Sequence, residues 1–426
     1  MPSQEVQQTD SQLDIYISKQ TRQKMEKIEL LAPAKDLAKA KIAIMYGADA
    51  VYIGGKSFSL RSRASNFEME DIRELCKFAR SYGRKVYVTV NMIFHDEDLY
   101  GIKEYLRQLG EAGVNAVIIS SLSLIPIIRS VAPDMEAHIS TQLSTGNSSA
   151  VNMMKSYGAQ RVVLSRETSM DEIEEITKRV DVPLEVFIHG GMCSNYSGRC
   201  VLSNRMTLRD ANRGGCAHSC RWKYKLYDGD KLISNDECLL SMSSKDLRAH
   251  NYIERMIKCG VASLKIEGRM KSEYYIAQVV KTYRDMIDEV YETGHLDEAR
   301  LEYYANELDK AENRPSDDGF LSGTCDEDKH LFGVNGAGVT HDYVAYVHNY
   351  DEKRSLALIE VKNIFAAGDE LEAFGPDLNN STFMATLMFD VEWKRVELAN
   401  KPTQMLYIRV PFKLKKHDMI RKAQNQ

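Results

Sequence analysis

Four cysteines lie close together in one glycine-rich stretch near the middle of the chain. Cys193, Cys200, Cys216 and Cys220 fall within 28 residues, with six, fifteen and three residues between successive members. Glycine and short polar residues separate them, and glycine lets a backbone wrap tightly around a small object. In a chain without a secretory signal, converging thiolates favour a metal site over disulfides or inert buried thiols.

The spacing by itself leaves the metal open. Zinc sites usually place paired ligands two to four residues apart, which suits the last pair of cysteines but not the wider first pair. Iron–sulfur clusters accept irregular spacings, and thiolate is the ligand that they select. Four cysteine ligands leave no open position, which favours electron transfer or a structural role. A radical S-adenosylmethionine enzyme would need a third cysteine at the position of Lys223, so the sequence excludes that class. His218, between Cys216 and Cys220, is an alternative ligand.

The same stretch carries a pattern that resembles a known family. The string E-x-F-x-x-G-x-x-C, followed by six residues and C-x-x-S, runs from Glu185 to Ser203. It is similar to the signature of the collagenase-like peptidase family, except that Gly191 stands where Ser or Ala is usual. The NRGGC and CRWKY runs, together with residues 30–61 and 243–275, resemble the tRNA-hydroxylation branch of that family. The similarity covers most of residues 28–290.

This resemblance implies a function. The four cysteines would be the ligands of a [4Fe–4S] cluster, and the reaction would be oxygen-independent, prephenate-dependent hydroxylation of wobble uridine in tRNA to 5-hydroxyuridine. The family name implies a peptidase instead, but the chain has neither an H-E-x-x-H zinc motif nor a G-x-S-x-G nucleophile elbow. A third possibility is a non-catalytic, RNA-binding and cluster-carrying module that works with a paralogous subunit.

The elements that must position these residues follow a strand–helix rhythm over residues 28–295. Strand-like apolar runs fall at 28–34, 50–55, 85–93, 116–121, 136–142, 161–165, 183–190 and 263–269. Eight such units favour a TIM-type (β/α)8 barrel over a doubly wound open sheet. Active sites of such barrels lie at the C-terminal ends of the strands. The cysteine-rich insertion (191–240) directly follows the seventh strand, so we expect it to lie over that mouth.

Polar residues at the predicted strand ends are the candidates for chemistry on a small substrate. His189 could transfer protons near neutral pH or bond to a sulfide of the cluster, or it could simply pack against a backbone carbonyl. Asn91 and Arg166 follow two other strands and are predicted to bind substrate.

The last predicted strand carries three alternating charges. Lys265, Glu267 and Arg269 share one face of that strand. The two cations would bind a small organic acid with two carboxylates, such as the prephenate of the resemblance, and Glu267 would act as a catalytic group. The alternative is an internal ion-pair network, because buried charges need partners.

A local basic patch follows the first cysteine. Between Cys193 and Lys225 the chain has seven Lys or Arg residues against Asp210 alone. Three of the arginines recur every four residues and would share one face of a helix. Cations beside aromatic rings are typical of single-stranded RNA recognition, whereas the alternatives are a solvated charge run or arginines that hold a loop to the barrel. The predicted RNA-binding residues are Arg205, Arg209, Arg213, Trp222 and Lys223.

Composition and the N-terminal segment limit the classes of protein to which the chain could belong. A net charge of −5, with 43% hydrophobic and 27% charged residues, is ordinary for a globular protein and gives no global nucleic-acid signature. The polar N-terminal segment (1–27) is predicted to be a disordered tail, and no apolar run approaches the ~20 residues of a membrane span. We therefore predict a cytoplasmic protein without a membrane partner.

A helix and polar connector (296–340) precede short alternating strands (341–426), which predict a small antiparallel β-barrel domain.

Overall fold

The computed structural model describes residues 27–60, 67–235, 239–311, 314–323, 325–331 and 343–423. The predicted N-terminal tail lies outside the described residues except for Lys27, and so does the last part of the predicted connector, 332–340. Within the described ranges, no helix is long and apolar enough to cross a membrane.

Eight parallel strands form a closed barrel, as predicted. Each strand pairs with its neighbour, and the last strand pairs with both the first and the seventh, which closes the ring. The strands are β1 (Glu29–Pro33), β2 (Ala50–Gly54), β3 (Lys85–Val90), β4 (Ala116–Ile119), β5 (Glu136–Ile139), β6 (Arg161–Val163), β7 (Leu184–Gly190) and β8 (Ser263–Ile266). The short strand Asp246–Arg248 extends this sheet by pairing antiparallel with the end of β7.

The described residues form ten α-helices, and most of them pack around the outer, apolar face of the ring. They are α1 (Leu37–Met45), α2 (Met69–Ser81), α3 (Ile102–Ala112), α4 (Leu124–Val131), α5 (Ser148–Tyr157), α6 (Met170–Thr177), α7 (Leu202–Thr207) in the cysteine-rich insertion, α8 (Ile253–Cys259), α9 (Glu273–Thr293) and α10 (Glu298–Asp309). Local chemistry sets the boundaries of the first helix. The Asp36 side chain accepts a hydrogen bond from the Lys39 amide (3.0 Å) at its start. Just after its end, Gly47 has φ +110°, a conformation that favours glycine.

The barrel interior is filled by side chains in layers. Charged residues occupy the part near the N-terminal ends of the strands, where Arg161 lies between Glu29 and Glu185. An apolar layer follows, formed by Leu31, Ala50, Tyr52, Tyr87, Ala116 and Ile118. Polar side chains line the C-terminal mouth above it. The barrel interior is therefore a packed core, with polar side chains at the face where its strands end.

A seven-stranded antiparallel sheet forms the C-terminal domain, which confirms the predicted antiparallel character. Its order is β12–β11–β15–β9–β10–β14–β13. The strands are β9 (Tyr343–Asp351), β10 (Leu356–Val361), β11 (Glu370–Gly375), β12 (Leu378–Met384), β13 (Met388–Asp390), β14 (Met405–Arg409) and β15 (Met419–Lys422). The domain has its own apolar core. The fully buried Arg421 joins it to helices α9 and α10, since it donates to Gln278 (2.6 Å) and Glu307 (3.3 Å) as well as to Glu372 (2.6 Å) of its own domain.

Candidate functional site

The cysteine-rich insertion lies over the C-terminal mouth of the barrel. It is hydrogen-bonded to the loops that follow three strands. The Ile93 amide after β3 donates to the carbonyl of Asn212 (2.9 Å). The Ser144 hydroxyl after β5 donates to the carbonyl of Ser197 (2.5 Å), and the Ser197 amide donates to Glu167 after β6 (2.9 Å). Because these loops surround the mouth, the insertion covers it as predicted.

Ser203 joins two of the cysteine-bearing segments. Its buried hydroxyl donates to the carbonyl of Gly215 (3.3 Å) and accepts from the Ala217 amide (3.0 Å), the two residues that flank Cys216. Ser203 lies in α7, which begins two residues after Cys200. One hydroxyl therefore fixes the backbone around the third cysteine against the helix that follows the second.

Three of the four thiols share one electrostatic environment. Burial raises the pKa of the Cys193 thiol, the nearby Arg166 guanidinium lowers it, and the charges of Cys220 and Cys216 raise it further. Cys193 nevertheless keeps exposed surface. The Cys193 thiol is therefore desolvated, although the residue as a whole keeps exposed surface, and we call the space around Cys193, Cys216 and Cys220 the cysteine cleft.

The donor set suits a thiophilic metal group in its chemistry. Cys193, Cys216 and Cys220 lie near one another, their thiolates are soft ligands, and the Arg166 guanidinium lies beside Cys193. In the part of the chain that the structure describes, no three His, Cys, Asp or Glu side chains are already arranged to coordinate an ion. The insertion thus brings Cys193, Cys216 and Cys220 near one another without arranging them as a coordination sphere.

A cation and a carboxylate lie beside Cys193, at the edge of the mouth. Arg166 donates to the carbonyl of Gly191 (2.5 Å) and to Glu267 (3.4 Å), and its guanidinium lies 4.0 Å from the centre of the Phe187 ring. The same Glu267 oxygen accepts from the Tyr52 hydroxyl (3.4 Å). The predicted residues Arg166 and Glu267 are therefore brought together next to the cysteines.

A second polar group lies across the mouth, where β2 and β3 end. Arg269 is only 6% exposed and donates to the hydroxyls of Ser59 and Thr89, each at 3.3 Å. Asn91 donates to Ser140 (3.4 Å). The structure thus places Arg269 and Asn91 on the mouth, but on the side opposite Arg166.

Lys265 belongs to the internal ion-pair network rather than to the mouth. Its ammonium lies 2.7 Å from Glu185, and both residues are buried. Glu185 also pairs with Arg161 at 3.3 Å. The prediction that Lys265 binds substrate is therefore corrected: strict alternation put Lys265 and Glu267 on one face, but Lys265 lies deeper in the barrel, where it neutralises a buried carboxylate.

His189 faces outward because β7 contains a bulge. Lys265 pairs with Phe187, but Ile266 pairs with His189, so β7 carries one extra residue and its alternation inverts. The imidazole lies 3.3 Å from the Tyr283 hydroxyl of α9. Burial lowers the pKa of His189 to about 3. Its surroundings favour the packing alternative over proton transfer in the mouth.

The basic patch is divided by the fold. Helix α7 ends at Thr207, and Leu208 has φ +56°. The three arginines therefore do not share one helix face, which corrects that expectation. Arg213 bonds to Asp98 (3.2 Å) and to the carbonyl of Ile93 (3.0 Å), and this contact lowers the pKa of Asp98. Arg213 holds the loop after β3, which was the alternative role for these arginines.

The other predicted RNA-binding side chains are accessible. Arg205, Arg209 and Lys223 are exposed, and Trp222 is 42% exposed with Tyr224 beside it. They lie on the insertion that covers the mouth, so a basic and aromatic surface adjoins the cleft.

One cation near the cysteines was not among the predicted site residues. Arg314, from the predicted connector, lies beside Asp246 (3.3 Å). Burial and the neighbouring Arg221 lower the pKa of Arg314, while Asp246 and Cys220 raise it. Only the contact of the connector with Asp246, distant in the sequence, reveals this residue, because no local pattern marks it.

Comparison with known proteins defines the family. Residues 35–331 match the model of Peptidase family U32, and residues 339–421 match the model of the Peptidase family U32 C-terminal domain. The chain therefore belongs to Peptidase family U32, which confirms the predicted membership of the collagenase-like peptidases.

Several relatives carry names that bear on function. The tRNA hydroxylation protein P1 of Bacillus subtilis is 44% identical, over 93% of this chain and 95% of that protein. The 23S rRNA 5-hydroxycytidine synthase of Escherichia coli is 38% identical over 70% of this chain, and the match spans 45% of that protein. A Porphyromonas gingivalis protein named Collagenase is 32% identical, over 91% of this chain and 95% of its own length.

Proposed function

We propose that this protein is an RNA-modifying enzyme that hydroxylates tRNA. The specific activity that we propose is the oxygen-independent, prephenate-dependent formation of 5-hydroxyuridine from wobble uridine in tRNA. One observation carries the proposal: the cysteine cleft, the Arg166–Glu267 pair and an exposed basic surface meet at one barrel mouth. The names of the Bacillus subtilis and Escherichia coli relatives support RNA hydroxylation as the class of reaction.

The proposed cofactor is a [4Fe–4S] cluster held by Cys193, Cys200, Cys216 and Cys220. Such a cluster supplies electron transfer when bound. The residues of the chain provide the site: the hydroxyl of Ser203 holds the backbone on both sides of Cys216. The positive charge of Arg166 favours the thiolate form of Cys193.

The proposed small-acid site lies between the two polar groups of the mouth. Arg166 and Arg269 approach from opposite sides, and prephenate carries two carboxylates that suit two guanidinium groups. Glu267 orients Arg166 through its 3.4 Å contact. The same carboxylate is the candidate proton acceptor at the mouth, because His189 is turned away and stays neutral.

The proposed RNA contact is the exposed surface of the insertion. Arg205, Arg209 and Lys223 would bind phosphates, and Trp222 would stack on an unpaired base. A base in the anticodon loop can be turned outward at a small cost in stacking energy. The cleft beneath the insertion would then receive that base.

The test of the cluster compares two cysteine variants after purification without oxygen. Cys216→Ala should lose visible absorption and bound iron, and should fail to restore 5-hydroxyuridine to tRNA in a deletion strain, as measured by mass spectrometry. Cys325→Ala is the matched control, because Cys325 is an exposed cysteine outside the cleft. Full activity of the first variant without iron would refute the cluster.

The same variants separate the alternative functions. The relative named Collagenase favours a peptidase, and peptide cleavage that survives in the iron-free Cys216→Ala protein would support that function instead. Iron binding without any effect of the deletion on tRNA hydroxylation would indicate a non-catalytic subunit that works with a paralogue.

The RNA surface is tested with two arginines of different surroundings. Arg209→Ala should weaken binding of a tRNA transcript and reduce the slope of log affinity against log salt by about one. Arg213→Ala should leave that slope unchanged, because Arg213 is paired with Asp98. Equal effects of both variants on the slope would contradict this assignment.

A further inference from the structure

An aromatic stack lies on the C-terminal domain, outside the site described above. The rings of Trp393 and Tyr407 are nearly parallel, at 7°, with their centres 4.7 Å apart. Phe389 lies 6.1 Å from Trp393 at the edge of the same group. Parallel rings at this spacing form a flat pile that a further ring can extend.

The turn that carries Trp393 presents the indole to solvent. Trp393 is 48% exposed and has φ +63°, a conformation that bulky residues rarely adopt. The Asp390 side chain accepts from the amides of Glu392 (2.9 Å) and Lys394 (2.8 Å), which fixes the turn. A large apolar ring is thus held outward on a rigid, strained turn, an arrangement that packing of the domain core does not explain.

Two arginines lie next to the stack. The Arg354 guanidinium lies over the Trp393 ring, 5.3 Å from its centre and 3.9 Å from the Asp351 carboxylate. Its side chain is 63% exposed, so a base that stacks on Trp393 displaces it toward the adjoining phosphate. Arg409 follows Tyr407 by two residues on β14, so both side chains share one face of the strand. Arg409 is exposed and forms no ion pair within the described residues. The surface therefore combines flat rings with cations.

We propose that Trp393 and Tyr407 form a stacking platform for an unpaired base of the RNA substrate, away from the base that is modified. Arg354 and Arg409 bind the adjoining phosphates. This inference rests on the proposed function. Stacking on aromatic rings beside a cationic path is how proteins bind single-stranded nucleic acid, since every base offers a flat face. The domain then contributes a second RNA contact separate from the insertion.

The experiment uses the fact that the chain has only two tryptophans. Trp222→Phe leaves Trp393 as the sole indole fluorophore, and Trp393→Phe leaves Trp222. Each full-length variant is titrated with a tRNA transcript, a short single-stranded RNA and a duplex of the same sequence. In the Trp222→Phe protein, we expect the transcript and the single strand to quench Trp393 fluorescence and the duplex to leave it unchanged.

A binding measurement supplies the second readout. Trp393→Ala should weaken transcript binding about ten-fold, the size expected for one stacked base, and should keep the wild-type salt slope. Arg209→Ala should change that slope instead. Circular dichroism and thermal melting verify that Trp393→Ala folds, which its exposed position allows.

The outcomes separate this inference from the proposed function. If Trp222 responds to RNA and Trp393 does not, the platform is overturned and the RNA surface of the insertion stands. If neither tryptophan responds to any RNA, both proposals fail. A blue shift of Trp393 emission on concentrating the protein without RNA would show that a second copy of the chain covers the stack, which also overturns the platform.

Discussion

Removing the charge of Lys265 should destabilise the barrel without weakening the binding of a small acid. Lys265→Met keeps much of the side-chain volume but leaves Glu185, which is 0% exposed, with Arg161 alone at 3.3 Å. Arg161 is closer to Glu29 (2.5 Å), so the remaining partner is shared. Breaking a buried ion pair by deleting one member costs about 3–5 kcal/mol. This is a large part of the about 5–15 kcal/mol by which proteins are usually stable.

The loss should depend on pH in a defined direction. In the native protein, burial raises the pKa of Glu185, but Lys265 and Arg161 together bring it below the ordinary value. Without Lys265 the burial effect prevails, and the folded-state pKa of Glu185 rises above that of the unfolded chain. The unfolded chain then binds fewer protons than the folded one, so the stability of the variant falls as pH rises. The loss should therefore be greater at about pH 8 than at about pH 5.

The assay is urea unfolding followed by far-ultraviolet circular dichroism at both pH values, together with calorimetric titration of prephenate. The double variant Glu185→Gln/Lys265→Met should recover most of the stability, because no unpaired buried charge remains. If Lys265→Met unfolds at the wild-type urea concentration but binds prephenate more weakly, the network interpretation is wrong and the sequence-based role is right.

Three further predictions concern other groups. His189→Gln should leave the shape of the pH–rate profile unchanged between about pH 6 and pH 9, because the pKa of His189 is lowered to about 3. Loss of a titration step near neutral pH from that profile would contradict this. Ser203→Ala should lower iron per chain after anaerobic reconstitution while the free energy of unfolding falls by only about 1 kcal/mol, and unchanged iron content would show that Ser203 does not organise the cleft. Burial raises the pKa of Asp418 to about 6, so the folded chain keeps this proton to a higher pH than the unfolded chain does. The stability of the protein therefore falls as the pH rises from about 4 to 6. Asp418→Asn should remove that fall, and thermal melting should show a larger gain over wild type at about pH 7.5 than at about pH 4.

Much of the fold follows from local sequence. All eight barrel strands lie within the predicted runs, because a strand buried on both faces reads as a continuous apolar segment. The position of the cysteines over the mouth followed from the topology alone, since the insertion starts where β7 ends. In the C-terminal domain, the alternating runs that mark the predicted strands end at Val410, so the sequence does not mark the short final strand β15, whose MIRK sequence contains two cations.

The details of the site depended on contacts that no local pattern contains. A single bulge in β7 turns His189 outward, and alternation read from the sequence cannot anticipate an extra residue. Arg213 forms an ion pair with Asp98, which lies more than one hundred residues earlier in the chain. Lys265 and Glu267 occupy equivalent positions in the alternating pattern. They differ in depth along the barrel axis: Lys265 is a structural cation in the interior, whereas Glu267 lies at the mouth.

The closure of the ring by β8 has a consequence for the order of events during translation. That strand is made after all four cysteines, and residues 221–266 must still be added once Cys220 has been made. At roughly 5–20 residues per second, the ribosome needs several seconds for this stretch. During that interval the thiols belong to a sheet that has not yet closed into a barrel. Delivery of iron to the proposed cluster site can therefore precede completion of the barrel that later supports it.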